Sequence, residues 1–150
     1  MLNKLKNRKQ EGFTIIEVLI VLAIAGLIIL IVLLAVPALQ RNGRNTATKN
    51  DASSLAGGIG EYKSNNDGGN PTTITGTGTV TISGAAGSIS ATAKLQGSVA
   101  PVSGTVATAA NTVVYHLGFK CDGSASPRST AVFYWTEQAS GGNGQKCVEA

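Results

Sequence analysis

Glu17 is the residue whose chemistry its surroundings least explain. It stands five residues into the apolar part of KNRKQEGFTIIEVLIVLAIAGLIILIVLLAVP. A carboxylate in bilayer hydrocarbon costs on the order of 2.5–3.5 kcal/mol on insertion scales, so it needs a cationic partner or a task. Cys121 and Cys147 are the only cysteines, and with no His or Cys cluster beside them they make a poor zinc site. They pair as a disulfide or stay as two free buried thiols. The one histidine, His116, lies beside Val114 and Lys120 in an alternating stretch, away from the Tyr115 face, and reads as a surface residue. Asp67 sits in an Asn/Gly-rich segment that lacks the carboxylate ladder and terminal Glu of a calcium loop. No Walker loop, nucleophile elbow or H-E-x-x-H occurs. Phe, Tyr and Trp are not interleaved with Lys or Arg, so no nucleic-acid platform is indicated. These residues predict no enzyme, no cofactor and no metal.

The elements that must position Glu17 can be read from composition. A chain of 150 residues has room for one domain and an accessory segment. Its 43% hydrophobic content is concentrated before Pro37. Beyond that seam Gly, Ala, Ser, Thr and Asn dominate, so the remainder can build only a modest core and must lean on the N-terminal helix or on other copies. The net charge of +4 is also local. Lys4, Lys6, Arg8 and Lys9 precede Gly12 with Glu11 as the one acid, and beyond Gly12 eight basic and seven acidic residues nearly cancel. A basic leader of this kind is a targeting feature. It holds the chain's start on the cytoplasmic side of a membrane and places the residues beyond the helix outside.

Val18 to Val36 is a run of nineteen residues without a charge, amide, Ser or Thr. As a helix it spans about 28 Å, enough to cross the hydrocarbon core. It is apolar all round, and its many Ile and Val residues do not argue for strands, because in lipid a helix satisfies its own backbone. A cleaved secretory signal would have a core of roughly 7–15 residues. Val36-Pro37-Ala38 resembles its cleavage site only weakly. A plain anchor explains the length and leaves Glu17 unexplained.

The order basic leader, Gly12, Phe13-Thr14-Ile15-Ile16-Glu17 and long apolar helix resembles the type IV pilin family, including the pseudopilins of type II secretion. The resemblance implies that a membrane-embedded prepilin peptidase cuts after Gly12 and N-methylates Phe13. It implies that Glu17 pairs with the mature N-terminus of a neighbouring subunit or its own, which neutralises the carboxylate in a filament core and fixes the register of one helix against the next. Gly26 falls where the family often has a glycine. Pro37 lies three residues beyond the family's usual proline, nearly one turn on, and should kink and loosen the helix by removing a hydrogen bond.

Past Pro37 the helix continues. Thr48, Ala52, Leu55, Ile59 and Tyr62 recur at spacings of three and four and define one stripe. Arg44, Lys49, Asp51, Glu61 and Lys63 are the polar remainder, and Gly57, Gly58 and Gly60 weaken the pattern. Ser64 to Pro71 is a strong loop signal. Thr79-Val80-Thr81-Ile82-Ser83 alternates with period two, and Gly-punctuated runs continue to about Thr108. Val113 to Phe119 puts Val113, Tyr115, Leu117 and Phe119 on one face, and Ala131 to Thr136 groups Ala131, Phe133 and Trp135. An antiparallel meander is predicted. Outside the cytoplasm a Cys121–Cys147 disulfide is the natural pairing, and it would close the C-terminal loop and contribute around 3 kcal/mol. A C-terminal disulfide loop is similarly placed in many members of the pilin family.

The expectation is an α+β, pilin-like chain: a long N-terminal helix, transmembrane in its first half and amphipathic in its second, packed on a small antiparallel sheet. Residues 1–12 form the leader, 13–43 the transmembrane and filament-core helix, 44–66 its amphipathic continuation, and 67–150 the extracytoplasmic β-rich head. By resemblance the function is that of a type IV pilus subunit, first single-pass in the cytoplasmic membrane and then part of an extracellular filament. Its partners would be copies of itself, the peptidase/methyltransferase, the assembly machinery and, before assembly, the bilayer. The alternatives are a pseudopilin of a secretion or DNA-uptake system, and a tethered or secreted binding module that never polymerises.

Overall fold

A computed structural model describes residues 12–85, 87–93, 95–98 and 112–150. Most of the leader and the end of the Thr/Ser/Gly-rich stretch, residues 99–108, lie outside the described residues. The chain divides into two compact units, Met1–Ala38 and Leu39–Ala150, and one helix, α1 (Ile15–Ser64), contributes to both.

In the first unit every residue from Gly12 to Ala38 is exposed. Leu and Ile side chains cover the helix on all sides and none is buried. The helix is long and apolar enough to cross a membrane.

In the second unit α1 is amphipathic in its contacts. Thr48, Ala52, Leu55, Ile59 and Tyr62 are all buried, joined by Ala56. Gly58 belongs to the same face. A Cβ there would stand 2.8 Å from Ile82 Cδ1 and 3.0 Å from Ala91 Cβ, so the glycine lets the helix approach the strands closely, whereas Gly57 and Gly60 face open space. Of the three helix-weakening glycines, one is therefore a packing requirement. The helix ends where Asp67 and Gly68 take left-handed φ values of 51° and 79°. The Asn66 side-chain amide donates to the Tyr62 carbonyl at 2.7 Å and satisfies one of the terminal acceptors.

Two sheets receive this face. Strands β1 (Thr73–Thr75), β2 (Gly78–Gly84) and β3 (Gly87–Ala93) form an antiparallel sheet in that order. Strands β4 (Leu95–Ser98), β5 (Val113–Phe119), β6 (Ala125–Glu137) and β7 (Asn143–Glu149) form the second, also in chain order. The predicted meander thus divides into two sheets, and its β4–β5 pair is parallel. Ile74, Val80, Ile82, Ala91, Val113, Tyr115, Val132 and Tyr134 from both sheets meet Leu55 and Ile59 in one core. The Tyr115 hydroxyl donates to the Ile74 carbonyl at 2.9 Å and ties one sheet to the other.

Phe119 departs from its predicted face. Gly118 has a φ of +81°, and the register with β6 shifts between Leu117 and Phe119. The alternation slips there, and the Phe119 ring stacks on His116 at 3.8 Å instead of standing with Tyr115. Phe133 and Trp135 do share a face, on which they form a separate cluster with Val114.

Two polar fixtures hold the helix to the second sheet. At one end Arg44 grips Glu137 through two 2.7 Å bonds, Nε to Oε1 and a terminal nitrogen to Oε2. Asn45 and Glu137 also exchange side-chain-to-backbone bonds of 2.7 and 3.0 Å. At the other end Lys63, assigned from sequence to the polar remainder, is only 8% exposed. Its ammonium donates to the Arg128 carbonyl at 2.8 Å and to the Ala150 carbonyl. Burial lowers its pKa below the usual lysine value.

Candidate functional site: the capped apolar helix

The residues singled out from sequence fall into two groups. Gly12, Phe13, Glu17 and Pro37 lie in the first unit, and Cys121 and Cys147 in the second.

Gly12 and Phe13 precede the helix, and Phe13 is 89% exposed. The helix starts at Ile15 because Thr14 caps it. The Thr14 hydroxyl accepts from the Glu17 backbone N–H at 3.3 Å. Glu17 reaches back, its Oε2 accepting from the Thr14 N–H at 2.9 Å and from the Thr14 hydroxyl at 2.8 Å. This reciprocal exchange is a capping box, Thr-x-x-Glu, at the positive end of the helix dipole. Glu17 is therefore not stranded: one carboxylate oxygen is held by two donors of its own chain. Attention to Glu17 as a lone acid misses Thr14, although the spacing Thr14 to Glu17 ahead of an apolar run is itself a readable helix-start signal.

Pro37 lies inside α1, one residue from the end of the first unit. Having no N–H, it cannot donate to the carbonyl of Leu33, so the ladder lacks one rung there.

In the head, Cys121 and Cys147 are joined by a disulfide with a Cα–Cα distance of 5.8 Å. Cys121 stands in the β5–β6 turn, where Lys120 N–H donates to the Ser124 carbonyl and Gly123 N–H to the Lys120 carbonyl, both at 3.0 Å. The Asp122 carboxylate accepts from the Ser124 hydroxyl at 2.6 Å and its N–H at 2.8 Å, and these bonds lower its pKa. Glu149 accepts from the Cys121 N–H at 2.9 Å. Cys147 is on β7, opposite Phe133 of β6, so the bond ties the β5–β6 turn to the edge strand β7. Sequence reasoning assigns β7 no place. NGQKCVE has almost no β-branched or aromatic residues, and pairing with β6 makes it a strand.

Among the described residues no group of three or more His, Cys, Asp or Glu could hold a metal. What the first unit offers chemically is a capped helix terminus beside a Gly–Phe junction and an uncovered apolar surface.

Residues 7–33 match the model of the prokaryotic N-terminal methylation motif. The chain carries the motif typical of type IV pilins and pseudopilins. It is a prepilin-type chain with a pilin-like α+β fold, and the motif implies processing by a prepilin peptidase. The match spans the capping box and most of the apolar run, and ends before Pro37. No curated protein and no solved structure matches the chain.

Proposed function

We propose that this prepilin-type chain is a structural subunit of a type IV pilus. It is inserted in the cytoplasmic membrane through the apolar half of α1, cleaved between Gly12 and Phe13, N-methylated on Phe13 and polymerised through that helix. The observation that carries this reading is an uncovered apolar surface whose one carboxylate, Glu17, is fixed within a turn of the Gly12–Phe13 junction. Cleavage gives Phe13 an α-ammonium group. A fixed carboxylate beside such a cation can neutralise it inside a filament core, where an unpaired charge is costly. Pro37 provides the point at which the helix can bend or loosen on assembly.

Mass spectrometry of the N-terminus from surface material of the native host tests the processing. An N-methylated Phe13 is the expected result. An N-terminus at Leu39 means secretory cleavage, an intact Met1 means a plain anchor, and either one refutes the reading. Glu17→Ala should leave the chain in the membrane, with a folded head, and abolish filaments seen by electron microscopy. Wild-type filaments restricted to short periplasmic assemblies would assign the chain to the pseudopilins.

A further inference from the structure

Lys63 is engaged through both its main chain and its side chain. Its carbonyl, at the end of α1, accepts from the Asn66 N–H at 3.0 Å and the Gly68 N–H at 2.8 Å, and these bonds close the helix. Its buried ammonium donates to the carbonyl of Arg128 on β6 and to that of Ala150, the residue after β7. Ala150 in turn exchanges two 2.9 Å backbone bonds with Thr130. One residue thus ties the end of the helix to the end of β7.

β7 is the weakest member of its sheet. It lies at the edge, and Val148 is the one β-branched residue in NGQKCVE. The segment adds Val148 and Ala150 to the core. A turn containing Gly141, with a φ of +86°, and Gly142 joins it to β6. From the other side Cys121 holds it twice, through the disulfide to Cys147 and through the 2.9 Å bond from its N–H to Glu149. The disulfide links residues 26 positions apart, and both cysteines are half-buried, within reach of a small dithiol. In that exchange the dithiol gives up two electrons and two protons and closes to its own disulfide, and Cys121 and Cys147 are left as thiols.

We propose that the Cys121–Cys147 disulfide is a redox latch that governs the end of α1 as well as β7, with Lys63 as the relay. When the latch opens, β7 leaves β6, and the Ala150 carbonyl goes with it. A buried ammonium is then short of one of its two acceptors and is drawn to water. Its departure loosens residues 64–69, whose hydrogen bonds end on the Lys63 carbonyl. Strands β2 and β3 pair with each other in the other sheet and keep their partners. The switch operates whether or not the chain polymerises.

The test is amide hydrogen exchange, read by mass spectrometry, on the full-length chain in a neutral detergent before and after reduction with dithiothreitol. Peptides covering residues 143–149 and 60–70 should both exchange about tenfold faster or more once reduced, while residues 78–84 stay as they were. Cys121→Ser/Cys147→Ser should show the reduced pattern without reductant. Lys63→Met keeps an apolar stem and removes the charge, so reduction should then free residues 143–149 and leave 60–70 unmoved. Wild type and the double cysteine variant decide the matter alone if Lys63→Met does not fold. Continued protection of β7 after reduction, a loss confined to residues 143–149 in wild type, a loss that spreads to 78–84, or a wild-type response from folded Lys63→Met would each overturn the proposal.

Discussion

The two halves of α1 share one backbone and differ in what their side chains meet. Before Ala38 every described residue is exposed and the helix is covered by Leu, Ile and Val. Beyond Leu39 a single stripe from Thr48 to Tyr62 is buried, and the rest is polar or small. The second half is completed within its own chain by two sheets, an Arg44–Glu137 pair and the Lys63 bonds. The first half is not, and its apolar surface stays uncovered among the described residues. A helix satisfies its own backbone in both settings, so the same secondary structure serves as a folded core element and as an interface awaiting its environment.

That contrast can be broken by placing equivalent changes in each half. Ile59→Ala should lower the head's unfolding free energy by about 2–5 kcal/mol. Ile28→Ala should leave the urea midpoint of the head unmoved, because Ile28 is an exposed residue of the other unit. Gly58→Leu would drive a side chain into Ile82 and Ala91 and should cost about 1–3 kcal/mol or more. Gly26→Leu meets open space and should show no loss in the same melt. Thr14→Val removes one side of the capping box and should weaken the first turn by about 0.5–2 kcal/mol. Faster amide exchange at Ile15–Val18 in micelles, with the head's protection unchanged, is the readout.

The smallest expected effect is on pH dependence. Burial lowers the pKa of His116 below its usual 6.5. A folded-state value below the unfolded one means the unfolded chain binds more protons, so stability is highest above pH 6.5 and falls as the pH drops through the folded value. The half-exposed ring makes this a shallow slope. His116→Gln should flatten it in denaturant melts between pH 8 and pH 5. A slope unchanged by the substitution would assign the pH dependence to other groups.

How far these features are legible in the sequence varies with the range of the forces behind them. The apolar run and the stripe from Thr48 to Tyr62 are periodic over many residues, and both can be read directly. The strand at Val113–Phe119 is equally plain, but the fate of Phe119 is not: a positive φ at Gly118 reverses the last position, and alternation contains no sign of it. Lys63 looks like a solvated face residue until the strands bring the Arg128 and Ala150 carbonyls to its ammonium. Strand β7 lacks propensity and exists through pairing with β6 and the bond to Cys121. At the candidate site, Glu17 is legible as an exception to its surroundings, and Thr14 through its spacing from Glu17.

The sequence by itself determined the long apolar helix with Glu17 as its exception, the methylation motif around Gly12 and Phe13, and the amphipathic stripe. Each arises from local spacing or from a run of like residues, and none depends on segments far away in the chain. The tertiary structure alone decided the division of the strands into two sheets, the parallel β4–β5 pair, the need for glycine at position 58, and the burial of Lys63 against the Arg128 and Ala150 carbonyls. These depend on which distant segments come within van der Waals or hydrogen-bonding reach. Contact at that range is set by the packing of the whole head, which no local pattern records.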